Sequence, residues 1–171
     1  MHLNFEFKAR AHNLAELEQK LQTLLPIFIG EDLQTDTYFN VPNGRMKLRE
    51  GNIENALIHY RRSNIAGAKQ SDVILYQHEP NAGLKNALVA ALGIKTVVEK
   101  RRKIYFVENV KFHFDQIRGL GSFIEVEAID KDGLIGIEKL KEQCNFYTDF
   151  FEIDPKNIVA ESYSDLILAN Y

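Results

Sequence analysis

Along most of the chain polar and apolar residues alternate with a period of two. Asn4, Glu6, Lys8 and Arg10 alternate with Phe5, Phe7 and Ala9, and Arg45, Lys47 and Arg49 alternate with Met46 and Leu48. Lys111, His113 and Asp115 alternate with Phe112 and Phe114, and Glu125 and Glu127 with Ile124, Val126 and Ala128. Successive side chains of a strand point to opposite faces, so each segment reads as a strand with one charged and one apolar face. Further strands are predicted over residues 57–62, 73–77 and 96–106.

Helical spacing interrupts this pattern. Asn13 with Glu16 forms a capping pair, and Leu14, Leu17, Leu21 and Leu24 follow at helical intervals until Pro26. A second helix is predicted over 84–92, stopping at Gly93, a third over 135–146 and a short last one over 162–170. The chain shows neither an internal repeat nor a low-complexity linker, so a single domain over 1–171 is expected, an α+β fold rich in antiparallel strands.

On any one strand, alternating charge is most simply the wet side of an antiparallel sheet. The collective pattern is less ordinary: cations recur at alternate positions on several strands, while carboxylates concentrate in a few. A closed barrel offers a second solution, with apolar faces packed against outer helices and charged faces turned into a water-filled interior. Many like charges in one lumen repel unless a polyanion and metal ions balance them, and a triphosphate with a hard divalent cation does so. Periodicity leaves both solutions open.

Bulk composition adds little direction. An apolar share of 45% with 26% charged residues fits a globular chain rather than a disordered one, and a net charge of −3 gives no sign of nucleic-acid binding. No apolar run approaches a membrane span and residues 1–10 lack a signal-peptide core, so a cytoplasmic protein without membrane partners is expected. Cys144 is alone, which agrees with a reducing compartment, and reads as a buried structural thiol.

Several stretches, taken in order, carry a resemblance. They are Asn4-Phe5-Glu6-Phe7-Lys8, Asp36-Thr37-Tyr38-Phe39, Arg45-Met46-Lys47-Leu48-Arg49, Tyr60-Arg61-Arg62, Lys100-Arg101-Arg102, and Asp115 followed by Gly119-Leu120-Gly121-Ser122-Phe123-Ile124-Glu125-Val126-Glu127. In this order the chain resembles the CYTH superfamily, the triphosphate tunnel metalloenzymes, from Asn4 to the tail Ser162-Tyr163-Ser164-Asp165-Leu166. Its length and tail look most like the class IV adenylyl cyclase branch.

The resemblance implies a closed eight-stranded antiparallel β-barrel, a triphosphate tunnel with helices packed outside, and a metal-dependent site within it. It implies Glu6, Asp115, Glu125 and Glu127 as metal ligands for Mg²⁺ or Mn²⁺. It implies Lys8, Arg45, Lys47, Arg49, Arg61, Lys100 and Arg102 as phosphate-binding residues, with Lys8, Arg61 and Glu127 closest to the chemistry. Of these, Lys47 and Arg61 depend most on strand register, which slips by one at loops and bulges. The implied substrate is a small-molecule triphosphate. It is either ATP converted to cyclic AMP and pyrophosphate, or inorganic, thiamine or nucleoside triphosphate hydrolysed. A non-catalytic polyphosphate- or nucleotide-binding module is the alternative, and a homodimer is left open.

Asn4 stands where the family signature has its first glutamate, and an amide brings no charge to a metal. Glu125 and Glu127 share a strand face, roughly 7 Å apart at their α-carbons, a spacing that favours a bound cation or a raised pKa. His113 shares a face with Asp115 and reads equally as a ligand or as a satisfied structural histidine. Gly119 and Gly121 read as turn residues, Tyr38 and Phe39 as core or rim packing, and Asp36 as a turn residue outside the chemistry.

Overall fold

The structure, a computed structural model, describes residues 2–62 and 69–170, the side chains of residues 2, 62 and 69 excepted. Among the described residues the elements run β1 (His2–Arg10), α1 (Leu14–Gln22), β2 (Ile27–Phe39), β3 (Arg45–Glu50), β4 (Ala56–Arg62), β5 (Lys69–Gln77), α2 (Ala82–Leu92), β6 (Ile94–Val107), β7 (Val110–Ile117), β8 (Gly121–Asp130), α3 (Ile137–Phe150) and α4 (Tyr163–Ala169). The strands close into a barrel in the order β1-β5-β4-β3-β2-β6-β7-β8, every neighbouring pair antiparallel. The expected barrel with outer helices is therefore observed. No described helix is long and apolar enough to cross a membrane.

The period-two pattern explains where the core sits. The apolar partners of the charged positions, Phe5, Phe7, Phe112, Phe114, Ile124 and Val126, lie on the outer face of β1, β7 and β8, packed under α1 and α3. From α3 come Leu140, Cys144 and Tyr147 at helical spacing, with Phe151 capping its C-terminal end, and from α1 comes Leu21. Deleting a ring such as that of Phe112, which is fully buried, is expected to cost about 3–5 kcal/mol. Cys144 is buried in this layer, its thiol donating to the Phe5 carbonyl at 3.1 Å, and burial pushes its pKa up to about 12. The structural role expected for it is what its surroundings show.

Local chemistry sets the element ends. The Asn13 side chain accepts from the Glu16 amide to start α1. Gly93 ends α2 with φ +67°, a left-handed conformation that favours glycine. Ser162 and Asp165 cap α4 reciprocally. α3 runs four residues further than the pattern up to 146 suggested. The β3–β4 connection is tied down by Asp32, whose carboxylate accepts from the amides of Ile53 and Glu54 at 3.0 and 2.9 Å. A Cβ on Gly51 would meet that carboxylate at 2.5 Å, so glycine is required for the approach.

Candidate active site

A cavity of about 1580 Å³ occupies the barrel interior, lined by the charged alternates of the strands. β1 contributes Asn4, Glu6 and Lys8, β3 Lys47 and Arg49, β6 Lys100 and Arg102, β7 Lys111, and β8 Glu125 and Glu127. The charged faces thus point inward, the second of the two solutions.

One half of this lumen is a cationic cluster built on Asp36. Residue 36 lies within β2, not in a turn, and is fully buried. Its carboxylate accepts from Lys47 Nζ at 2.9 Å, from Arg49 Nε and Nη2 at 2.9 and 3.1 Å, and from Lys100 Nζ at 2.6 Å. Burial alone would raise the Asp36 pKa, but Arg49, Lys100 and Lys47 outweigh it and hold the carboxyl well below the usual range. Three basic side chains from two other strands are gathered within reach of one another by this one anion. Arg49 also donates to Glu54 Oε2 at 2.8 Å, and Lys111 pairs with the other oxygen of Glu54.

A second buried network crosses to the opposite wall. Arg102 donates in bidentate fashion to Asp115, at 2.6 Å to each oxygen, and to Glu125 Oε2 at 2.8 Å. Tyr163 of α4 donates to Asp115 Oδ2 at 2.7 Å, and Lys8 Nζ sits 4.1 Å from the centre of the Tyr163 ring. Lys8 also lies 3.2 Å from Glu125 Oε1. Burial opposes ionisation of Glu125, yet Lys8, His113 and Arg102 keep its pKa well below the ordinary value.

Beside Glu125 lies a group suited to a metal ion. Ligand atoms of His113, Glu125 and Glu127 lie within 4.8 Å of one another. His113 Nδ1 is 3.4 Å from Glu125 Oε2, and a carboxylate held ionised only accepts, so Nδ1 carries the hydrogen. Nε2 is left as a lone pair, buried and without a hydrogen-bond partner among the described residues. Burial, Arg102 and Lys111 push the His113 pKa down to about 3, so the ring is neutral and able to ligate near pH 7. Glu6 stands directly opposite Glu127 in the β1–β8 ladder. Withdrawal from water, with Glu125 and Glu6 nearby, raises Glu127 to about 7. An orphaned imidazole nitrogen and repelling carboxylates are what a divalent cation would satisfy, so these residues fit one.

The sequence-predicted residues divide accordingly. Lys8, Lys47, Arg49, Lys100, Arg102, Glu6, Glu125 and Glu127 line the one cavity. Arg45 stands apart, its guanidinium bound to Asp165 of α4 at 2.9 Å. Asp115, expected among the metal ligands, has both oxygens committed to Arg102 and Tyr163 and lies outside the metal-suited group. Arg61 is a correction of register: Ile58 and Tyr60 of β4 line the cavity, and Arg61, between them and residue 62 in the alternation, is exposed on the outer face. The Arg62 side chain lies outside the described residues. Asp36 and His113 are the groups the pattern undervalued. The signal for Asp36 was its period-two relation to Tyr38 and Gln34, which share its inward face.

A family model described as the CYTH domain matches residues 2–159. A protein named "Putative adenylate cyclase" from Methanocaldococcus jannaschii is 25% identical, the alignment covering 96% of this chain and 98% of that one. A conserved hypothetical protein from Pyrococcus furiosus has the same fold at a TM-score of 0.80 and 18% identity, with 95% of this chain and 99% of that chain covered. The "putative adenylyl cyclase HpAC1" from Hippeastrum, described as having a dominant triphosphatase activity, matches at a TM-score of 0.65 and 14% identity, covering 99% and 96%.

Proposed function

The chain belongs to the CYTH domain family, and from that premise we propose that it is a divalent-metal-dependent enzyme acting on a triphosphate held in the barrel lumen. Cyclisation of ATP to cyclic AMP and pyrophosphate is its leading reaction. The observation that supports this reading is the division of one cavity into a cationic cluster around Asp36 and a carboxylate–imidazole group around Glu127. A metal triphosphate carries the two complementary charges, anion and cation, in one molecule.

Lys47, Arg49 and Lys100, with Lys8 and Arg102 beside them, bind the phosphate oxygens, Arg102 being oriented by Asp115. Glu6, Glu125, Glu127 and His113 would hold the cation, an oxygen-rich set with one imidazole nitrogen that suits Mn²⁺ better than Mg²⁺. When bound, such a cation neutralises phosphate oxygens and acts as a Lewis acid. Phosphoryl transfer asks little covalent chemistry of a protein, so positioning and charge stabilisation carry the rate. In cyclisation the ribose 3′-oxygen bonds to the α-phosphorus and the bond from that phosphorus to the bridging oxygen breaks. Pyrophosphate leaves with the electron pair, and Lys8 and Arg102 stabilise its charge. The hydroxyl proton passes to solvent.

Hydrolysis of the terminal phosphate is the second reading, and the activity described for the Hippeastrum protein favours it. The same cations would hold the substrate while water replaces the ribose hydroxyl. Incubating the purified protein with Mn²⁺ or Mg²⁺ and ATP, inorganic triphosphate or thiamine triphosphate separates the readings. Cyclic AMP with pyrophosphate supports the first and orthophosphate the second. Turnover of none of them with either metal overturns the enzyme.

A further inference from the structure

The last helix reaches further into the site than its place in the chain suggests. The match to the CYTH domain ends at residue 159 and α4 starts at Tyr163, yet Ser162 and Tyr163 line the lumen cavity. Two anchors bring the tail there. Before Tyr163, the Val159 amide donates to the Lys8 carbonyl at 2.9 Å, and Ile158 bridges Ala9 of β1. After it, the Asp165 carboxylate accepts from Arg45 Nη2 of β3 at 2.9 Å and from the Ser162 amide at 3.2 Å. Tyr163 is held between these ties and is buried.

Both ends of the Tyr163 side chain meet the groups assigned to the phosphates. Lys8 Nζ lies 4.1 Å from the ring centre and Lys100 Nζ 6.0 Å, while Phe123 packs against the ring with centroids 5.1 Å apart. An ammonium over an aromatic face is attracted by the ring quadrupole, most strongly where water is excluded. Lys8 has a flexible four-carbon stem, and the ring gives its ammonium a fixed surface beside Glu125. At the other end, the hydroxyl donates to Asp115 Oδ2 at 2.7 Å, the oxygen that also accepts from Arg102 Nη2 at 2.6 Å. Burial, with Asp115 alongside, holds the Tyr163 pKa well above its ordinary value, so the hydroxyl keeps its hydrogen and stays a donor. One side chain from α4 thus touches Lys8 of β1 directly and Arg102 of β6 through Asp115.

We propose that Tyr163 is a positioning residue that holds Lys8 and Arg102 in the orientation that receives the phosphates. The inference rests on the triphosphate reading above and adds a residue, from beyond the matched domain, that preorganises it. The ring acts on Lys8 and the hydroxyl acts on Arg102. Cations already aimed at the ligand lose less rotamer freedom when it binds, so the contribution is read as affinity.

Double-mutant cycles on equilibrium binding test this without depending on turnover. Dissociation constants for inorganic triphosphate are measured by calorimetry in the presence of Mn²⁺, with circular dichroism confirming that each variant is folded. Tyr163→Leu, which removes ring and hydroxyl, is expected to weaken binding about tenfold; Tyr163→Phe restores the ring, so its loss should shrink to about threefold. In a Lys8→Met background Tyr163→Leu should cost no more than about threefold, and in an Arg102→Lys background Tyr163→Phe should cost nothing measurable, because the group each acts through is gone. Tyr163→Phe preserves the packing, so its cycle decides the matter if Tyr163→Leu fails to fold. Losses that multiply without coupling would make Tyr163 a structural residue only and overturn the proposal. Wild-type affinity in both single variants overturns it as well, and in either case the triphosphate reading stands. Failure of the wild type to bind inorganic triphosphate overturns both.

Discussion

Replacing Asp36 with asparagine keeps the size of the side chain and removes the negative charge on which Lys47, Arg49 and Lys100 converge. Asp36 is fully buried and Lys100 nearly so, which puts this in the regime where breaking a buried ion pair costs about 3–5 kcal/mol. The lower end applies, because Arg49 keeps Glu54 at 2.8 Å. A loss of about 3 kcal/mol corresponds to a fall in Tm of roughly 6–12 °C for a chain of this size. The pH sign follows from the depressed pKa of Asp36. Its contribution is fully present above the ordinary carboxylate range and is lost as pH falls through its lowered value, so the difference between wild type and variant is full at pH 7 and narrows in acid. A polyanion in the lumen supplies the missing charge, so saturating inorganic triphosphate should recover more stability in Asp36→Asn than in the wild type. Thermal unfolding at pH 7 and near pH 3, with and without inorganic triphosphate, reads all of this. A variant as stable as the wild type at pH 7, or one that gains no more than the wild type from triphosphate, would refute the reasoning.

Further expectations follow from the same geometry. Glu127→Gln removes a ligand charge from a crowded acidic group, so it should lower Mn²⁺-dependent turnover by at least about a hundredfold while circular dichroism stays unchanged. Activity equal to wild type would remove Glu127 from the site. In the wild type, Mn²⁺ must displace the proton that Glu127 holds below about pH 7, so Mn²⁺ affinity measured by calorimetry should rise with pH up to about 7 and level off above it. A flat profile from pH 5 to 8 would contradict the raised pKa. Arg61→Ala should change kcat/KM for any accepted triphosphate by less than about threefold because the side chain is outside the barrel, whereas Arg49→Ala should cost at least about a hundredfold. Equal losses in the two would restore Arg61 to the lumen.

The fold was most legible where alternation is strict. β1, β3, β7 and β8 each carry charge on one face and bulky apolar groups on the other, and the structure places those faces in the lumen and under the helices. β2 was not read as a strand. Its ladder with β6 shifts register between Phe28 and Gly30 and again between Tyr38 and Phe39, which breaks the period. Its inward residues Gln34 and Asp36 are also poor strand formers. That is why Asp36 passed for a turn residue: aspartate is common in turns, and only the cations brought from β3 and β6 make a buried carboxylate favourable there. Arg61 failed for a related reason. Tyr60-Arg61-Arg62 offers two adjacent cations, and which of them faces inward depends on a register that β3 and β5 fix, not on the segment itself. His113 and Asp115 share a face as expected, but their partners come from β8, β6 and α4, so sequence could not tell which of them Arg102 would claim.

The central claim is that the lumen processes a metal-bound triphosphate, and the products formed from ATP in the presence of Mn²⁺ test it most directly. Chromatographic separation is predicted to show cyclic AMP and pyrophosphate in equal amounts from the wild type, and neither from Glu127→Gln. Orthophosphate in place of cyclic AMP would transfer the activity to hydrolysis on the same residues. ATP recovered intact, with inorganic and thiamine triphosphate also unchanged, would contradict the account.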